Sequence, residues 1–248
     1  MTSALQTPHD PMALTTGLTA RTRQLSLSLE SGAADILDLV TPTTAELLRW
    51  WFGEDMVAAR GGLNFHAGQK QAILNAIVAH EVLGAASLQD LYQQVAPDAL
   101  LAGTRLTEVS AAKHAHPKYC FKMATGTGKT WVLQALMIWQ LLNKTAAATE
   151  GLDDARFTRQ FMVVAPGLIV YERLLDAFCG KLVAGGNGSR DFATSDVSLF
   201  ADLFIPEAHR DAVFAFVRGN VCSKAEIGLT APGHGMTAIT NWHLLAEG

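Results

Sequence analysis

The feature that most constrains this 248-residue chain is a six-residue turn, Thr125-Gly126-Thr127-Gly128-Lys129-Thr130, set between an apolar run and a long helical pattern. Alternate glycines let a backbone curl until successive N–H groups converge, and the positive end of the following helix adds attraction for an anion. A lysine and a hydroxyl closing such a turn suit a nucleotide triphosphate. Lys129 would reach the β and γ phosphates as the catalytic lysine, and the Thr130 hydroxyl would ligate magnesium. The expected nucleotide-binding residues are therefore Thr125, Gly126, Thr127, Gly128, Lys129 and Thr130, and the expected cofactors are ATP or a similar nucleotide and Mg2+.

The flanking pattern reads strand, turn, helix, strand, helix. Lys118 to Ala124 is expected to be a strand, Lys129 to Asn143 a helix, Phe161 to Ala165 a strand, Leu168 to Phe178 a helix and Met236 to Thr240 another strand. Apolar strands alternating with helices predict an α/β fold with a mostly parallel sheet covered on both faces. Gly180 to Arg190 reads as a glycine-rich surface loop and Pro206 to Val217 as helix. Upstream, a helix is expected to start at Thr43, capped by its hydroxyl with Glu46 three residues on, and to end at Gly53. Ala67 to Leu83 has helical spacing with Gly84 as its stop, and Ser87 caps a helix to Val95. The first forty residues offer only a short helix near Ala33 to Val40.

Composition limits the partners. With a formal net charge of -4 the chain lacks the basic excess of a free-standing nucleic-acid binder, so any such contact must be local. Arg105, Lys113, Lys118, Lys122 and Lys129 oppose only Glu108 between positions 105 and 129, a stretch read as solvated surface. Cys120, Cys179 and Cys222 form no CxxC pair and are expected to be reduced thiols of a cytoplasmic protein. No secretory start opens the chain, and Trp131 to Leu142 falls short of the roughly 20 residues of a membrane span; no membrane partner is expected. His114, His116 and Cys120 match no zinc spacing, and Gly233-His234-Gly235 reads as a turn. Of Trp50 and Trp51, one is expected in the core and the other half exposed.

Where the eight-residue phosphate-loop pattern has a first glycine, this chain has Met123, and Met123-Ala124-Thr125-Gly126-Thr127-Gly128-Lys129-Thr130 resembles motif I of superfamily-two helicases and translocases. Gln69, with Phe65 before it and Ala72-Ile73 after it, looks like the Q motif, whose glutamine reads adenine. Val163-Val164-Ala165-Pro166-Gly167-Leu168 resembles motif Ia, and Ala238-Ile239-Thr240-Asn241-Trp242-His243 stands where motif Ib would fall. Cys120-Phe121-Lys122-Met123 and Pro166 to Asp176 are most similar to the restriction subunit of type III restriction-modification enzymes, over about Phe65 to Leu245. The resemblance implies a RecA-like three-layer lobe at 61–248, an incomplete first motor lobe preceded by a partly helical extension at 1–60. It also implies DNA-backbone contacts from Pro166, Gly167, Arg173, Thr240 and Asn241. The implied partners are double-stranded DNA, a methyltransferase (modification) subunit and the remaining part of the motor chain.

Hydrolysis needs a magnesium-holding acid and a glutamate that orients water, the Asp-Glu pair of motif II in that superfamily. No aspartate in the sequence is followed by glutamate. Val197 to Asp202 is an apolar run ending in aspartate, but Leu203 follows, and the run is read as core. The chain stops at Gly248, where motif II is expected, so the reading is an N-terminal part of a longer motor that does not itself cleave ATP. A P-loop kinase or other soluble NTPase, and an inactive docking fragment, are the alternatives.

Overall fold

A computed structural model describes residues 10–32, 34–185, 187–223, 226 and 235–243. The chain divides into two compact units, Met1–Val40 with His66–Thr127, and Thr41–Phe65 with Gly128–Gly248. The described residues are mostly helical, with a small parallel sheet.

The first unit is helical. Helix Ala13–Ser26 packs on helices Ala67–Ile77 and Leu88–Val95. The approach is close because Gly17 has no side chain: a Cβ there would stand 2.2 Å from the Val95 carbonyl oxygen. Polar ties flank the packed face, with Arg23 donating to Gln71 at 3.1 Å and Asn75 to Thr19 at 3.2 Å. Ser87 caps the Leu88 helix as expected, accepting from the Asp90 N–H at 3.1 Å. Tyr92, Leu100 and Val109 form a local core beside Leu14 and Leu88. The helix expected from Ala67 to Leu83 is α-helical only to Ile77 and continues as a π turn over Val78–Val82, closed by the Leu83 N–H on the Val78 carbonyl.

Two expectations fail in this unit. Arg105 is not solvated: it is buried, donates to the Tyr92 hydroxyl at 2.7 Å and lies over the Tyr92 ring. A guanidinium with an aromatic face and a hydroxyl as neighbours tolerates burial that counting charges cannot foresee. Lys118 to Ala124 forms no strand. Its exposure alternates residue by residue, as a strand's would, with Tyr119, Phe121 and Met123 on the more buried side. A strand exists through its ladder, however, and among the described residues no pairing includes this segment.

In the second unit, helix Pro42–Phe52 is capped by Thr41, whose hydroxyl accepts from the Thr44 N–H at 3.1 Å. The cap lies two residues before the expected Thr43 because Pro42 occupies the first helical position, where its fixed φ and missing N–H fit. Glu46 instead meets His209 at 2.9 Å. Trp51 is fully buried and donates to the Phe204 carbonyl at 2.9 Å, while Trp50 is half-buried, as expected of that pair. Helix Lys129–Thr149 outruns its expected end at Asn143. The run Ala146-Ala147-Ala148 has the highest helix propensity available and carries it on.

The sheet contains β1 (Gln160–Ala165), β4 (Val221–Ser223) and β5 (Met236–Asn241), in the order β1-β5-β4 with both pairs parallel. A separate antiparallel pair, β2 (Lys181–Leu182) and β3 (Arg190–Asp191), closes the segment read as a bare loop. β5 is central and almost wholly buried. At β1 the sheet is not covered on both faces, since Met162 and Val164 are 58% and 42% exposed. Helix Leu168–Cys179 packs on β1 and β5, and helix Arg210–Asn220, preceded by a 3-10 turn at Glu207–His209, packs on β4 and β5. An aromatic group of Trp51, Phe52, Phe65, Trp131 and Phe204 sits under the start of the long helix. Among the described residues no helix is long and apolar enough to cross a membrane.

Candidate functional site

The glycine turn adopts a backbone that only glycine takes readily. Gly126 has φ +80° and Gly128 φ +67°, both left-handed. Between them the Thr127 N–H approaches the Ala124 carbonyl at 3.4 Å, and the Thr127 hydroxyl donates to the same oxygen at 2.7 Å. Gly128 is the residue before helix Lys129–Thr149, and no side chain caps that N-terminus. The first-turn N–H groups of an uncapped helix are the donors an anion can take. Lys129 is exposed at the first helical position, with Thr130 partly exposed beside it.

Gln69 lies in the first unit, in the opening turn of helix Ala67–Ile77, and is buried. Its Oε1 accepts from the His66 N–H at 3.0 Å. His66 answers through Nδ1, which accepts from Gly68 and Gln69 N–H groups at 3.1 and 3.3 Å, completing a reciprocal capping box. The other ring nitrogen of His66 is 2.9 Å from the Thr127 carbonyl oxygen. Sequence reasoning passed over His66. The signal was available, since a polar residue three before a glutamine at a helix start is a capping-box spacing with histidine in the place of serine.

The segments resembling motifs Ia and Ib end at one edge of the sheet. β1 and β5 pair Val164 with Thr240 and Ala165 with Asn241, so the Pro166-Gly167 turn and Trp242 emerge side by side beyond the carboxyl ends of parallel strands, where ligands of open α/β sheets bind. Pro166 and Arg173 are exposed, as are Leu168, Ile169 and Trp242. Gly167 precedes helix Leu168–Cys179 without a side-chain cap. Thr240 and Asn241 are fully buried in β5, and the solvent-facing residues of that segment are Trp242 and His243.

Charge on the same helix is partly cancelled. Arg190 pairs with Asp176 at 2.6 Å and Glu172 at 2.7 Å, and donates to the Gly180 carbonyl at 2.8 Å. One guanidinium thereby offsets half the charge of two acids that would repel a phosphate backbone, a contact no sequence spacing announces. Nearby, burial pushes the Cys179 thiol up to about 11, and burial with Asp176 close by raises the Asp196 carboxyl. The run from Val197 to Asp202 spans two short helices, Asp196–Leu199 and Ala201–Phe204, broken at Phe200. It is core only in part: Val197 and Ala201 are buried, Leu199 is exposed, and Asp202 turns outward to Arg210 at 2.5 Å. Residues 233 and 234 and Leu245 lie outside the described residues.

A parallel sheet and a long helix opened by a left-handed glycine turn define the class, a mixed α/β domain whose partial sheet accords with part of a RecA-like lobe. Residues 63–210 match the family model of the type III restriction enzyme res subunit, and the chain belongs to that family. This stretch is the helicase-like, ATPase-like part. No curated protein and no solved structure matches the chain.

Proposed function

We propose that the chain is the ATP-binding part of a DNA-dependent motor of the type III restriction class. The observation that carries the reading is the backbone at Gly126 and Gly128, both left-handed, running directly into a 21-residue helix whose N-cap residue is the glycine Gly128 and offers no side-chain cap. In this reading Thr125 to Gly128 wrap the phosphates with N–H groups, Lys129 meets the β and γ oxygens, and Gln69 reads adenine. The cradle suits a triphosphate. The Thr130 hydroxyl is one oxygen donor for magnesium, and phosphate oxygens and water would supply most of the remainder. The RecA-like lobe then corresponds to 61–248, with 1–60 as its extension.

The Pro166-Gly167 turn and Arg173 form the proposed contact with the backbone of double-stranded DNA, with backbone N–H groups and a guanidinium as the donors. Thr240 and Asn241 contribute by fixing the strand end from which Trp242 emerges. The modification subunit is the proposed protein partner. Because no aspartate is followed by glutamate, the chain binds ATP without turning it over. The test is calorimetric titration of magnesium-ATP and magnesium-GTP, with and without duplex DNA, alongside a phosphate-release assay. Saturable ATP binding in preference to GTP, without turnover, is expected. Equal affinity for the two removes Gln69 as an adenine reader, and DNA-stimulated turnover abolished by Lys129→Ala overturns the inactive reading. Arg173→Glu is expected to weaken duplex DNA binding and leave ATP affinity unchanged.

A further inference from the structure

His66 bonds in two directions at once. Its Nδ1 accepts from two backbone N–H groups, so that nitrogen carries no proton, and the ring is the tautomer with its proton on Nε2. The Nε2–H therefore donates to the Thr127 carbonyl, 2.9 Å away. A trans peptide points its C=O and the following N–H in opposite directions, and none of the described peptides is cis. Holding the Thr127 carbonyl toward the ring thus aims the Gly128 N–H the other way. Gly68 keeps the ring in place by lacking a side chain: a Cβ there would stand 3.1 Å from the His66 Cε1 and 3.3 Å from its Nδ1.

From this we infer that His66 is a positioning residue for the nucleotide, joining the helix that carries Gln69 to the phosphate turn and setting the direction of the Thr127–Gly128 peptide. This rests on the ATP-binding reading above. The cap and the turn contact are separable by chemistry. Asparagine is among the best N-cap residues, but its shorter side chain cannot both cap and reach the Thr127 carbonyl.

The test measures magnesium-ATP affinity and melting temperature for the wild type, His66→Asn, His66→Ala, Gly68→Ala and Lys129→Ala, with titrations run well below each midpoint. His66→Asn is expected to keep the wild-type melting temperature while its Kd rises about tenfold, the equivalent of one well-made hydrogen bond. His66→Ala should lose both stability and affinity. Gly68→Ala, which leaves the imidazole present but requires it to give by a few tenths of an ångström, should also weaken binding, and it decides the matter if His66→Asn does not fold. Wild-type affinity in His66→Asn or, failing that variant, in Gly68→Ala, with binding lost in Lys129→Ala, overturns the positioning role and leaves the ATP reading standing. Absence of saturable binding in the wild type overturns the ATP reading itself.

Discussion

The Thr44 hydroxyl oxygen accepts the indole N–H of Trp139 at 2.9 Å, tying two helices 95 residues apart in sequence. The same oxygen accepts the Asn143 amide at 2.9 Å, and all three side chains are buried. Thr44→Val keeps the shape and removes the acceptor, leaving donors buried without it, so a loss of about 1–3 kcal/mol is expected. Urea unfolding followed by circular dichroism reads the change, and Thr44→Ser, which restores the oxygen, should recover most of it.

Gly180 has φ +87° and ψ 175°, a region essentially closed to other residues, and a Cβ there would fall 1.8 Å from the Asp191 carbonyl oxygen. Gly180→Ala should therefore cost at least the roughly 1–3 kcal/mol of such backbone strain. Because Arg190 donates to the Gly180 carbonyl, the variant should also loosen the clamp on Glu172 and Asp176. Thermal melting measures the loss, and proteolysis between residues 180 and 190 should become faster.

The three thiols should separate by reactivity. Cys120 is exposed, Cys222 is buried, and the Cys179 thiol, pushed up to about 11, stays protonated at pH 8. Since the thiolate is the reactive form, a chromogenic disulfide reagent at pH 8 should titrate one thiol quickly and two slowly. Cys120→Ser should abolish the fast phase. Raising the pH toward 11 should accelerate Cys179, because its proton leaves only as pH approaches that value.

Ligand linkage gives the nucleotide proposal a reading that needs no turnover. A ligand bound only by the native state at about one hundred times its Kd adds about 2.7 kcal/mol of stability. Magnesium-ATP should raise the melting temperature of the wild type, and Lys129→Ala should lose the shift while melting normally without nucleotide.

Much of this was legible because apolar periodicity was long and unbroken. The long helix after Lys129, strand β1 and strand β5 follow from their runs of apolar residues. β4 was missed because three residues carry no usable period. At Lys118 to Ala124 the alternation is present in the sequence and in the exposure, yet no ladder forms, because pairing depends on neighbours that a local pattern does not contain. Pro42 moved a cap to Thr41, a shift its residue type could have announced. The burial of Arg105 against Tyr92 and the reach of Arg190 to two acids depend on tertiary contacts 13 to 18 residues away, which charge counts do not resolve. At the candidate site, the glycines were legible from their type, whereas the ring of His66 was hidden behind the glutamine it supports.

Trp131 follows the proposed magnesium ligand Thr130 directly, and its ring centroid lies 4.9 Å from Phe200, 5.8 Å from Phe204 and 6.5 Å from Phe65. Indole emission responds to the polarity and motion of such surroundings, so the chain carries its own optical reporter one peptide beyond the phosphate turn. Because Trp131 is one of five tryptophans, a nucleotide-dependent change in emission that disappears in Trp131→Phe would report on that turn, with no label to attach and none to perturb the site.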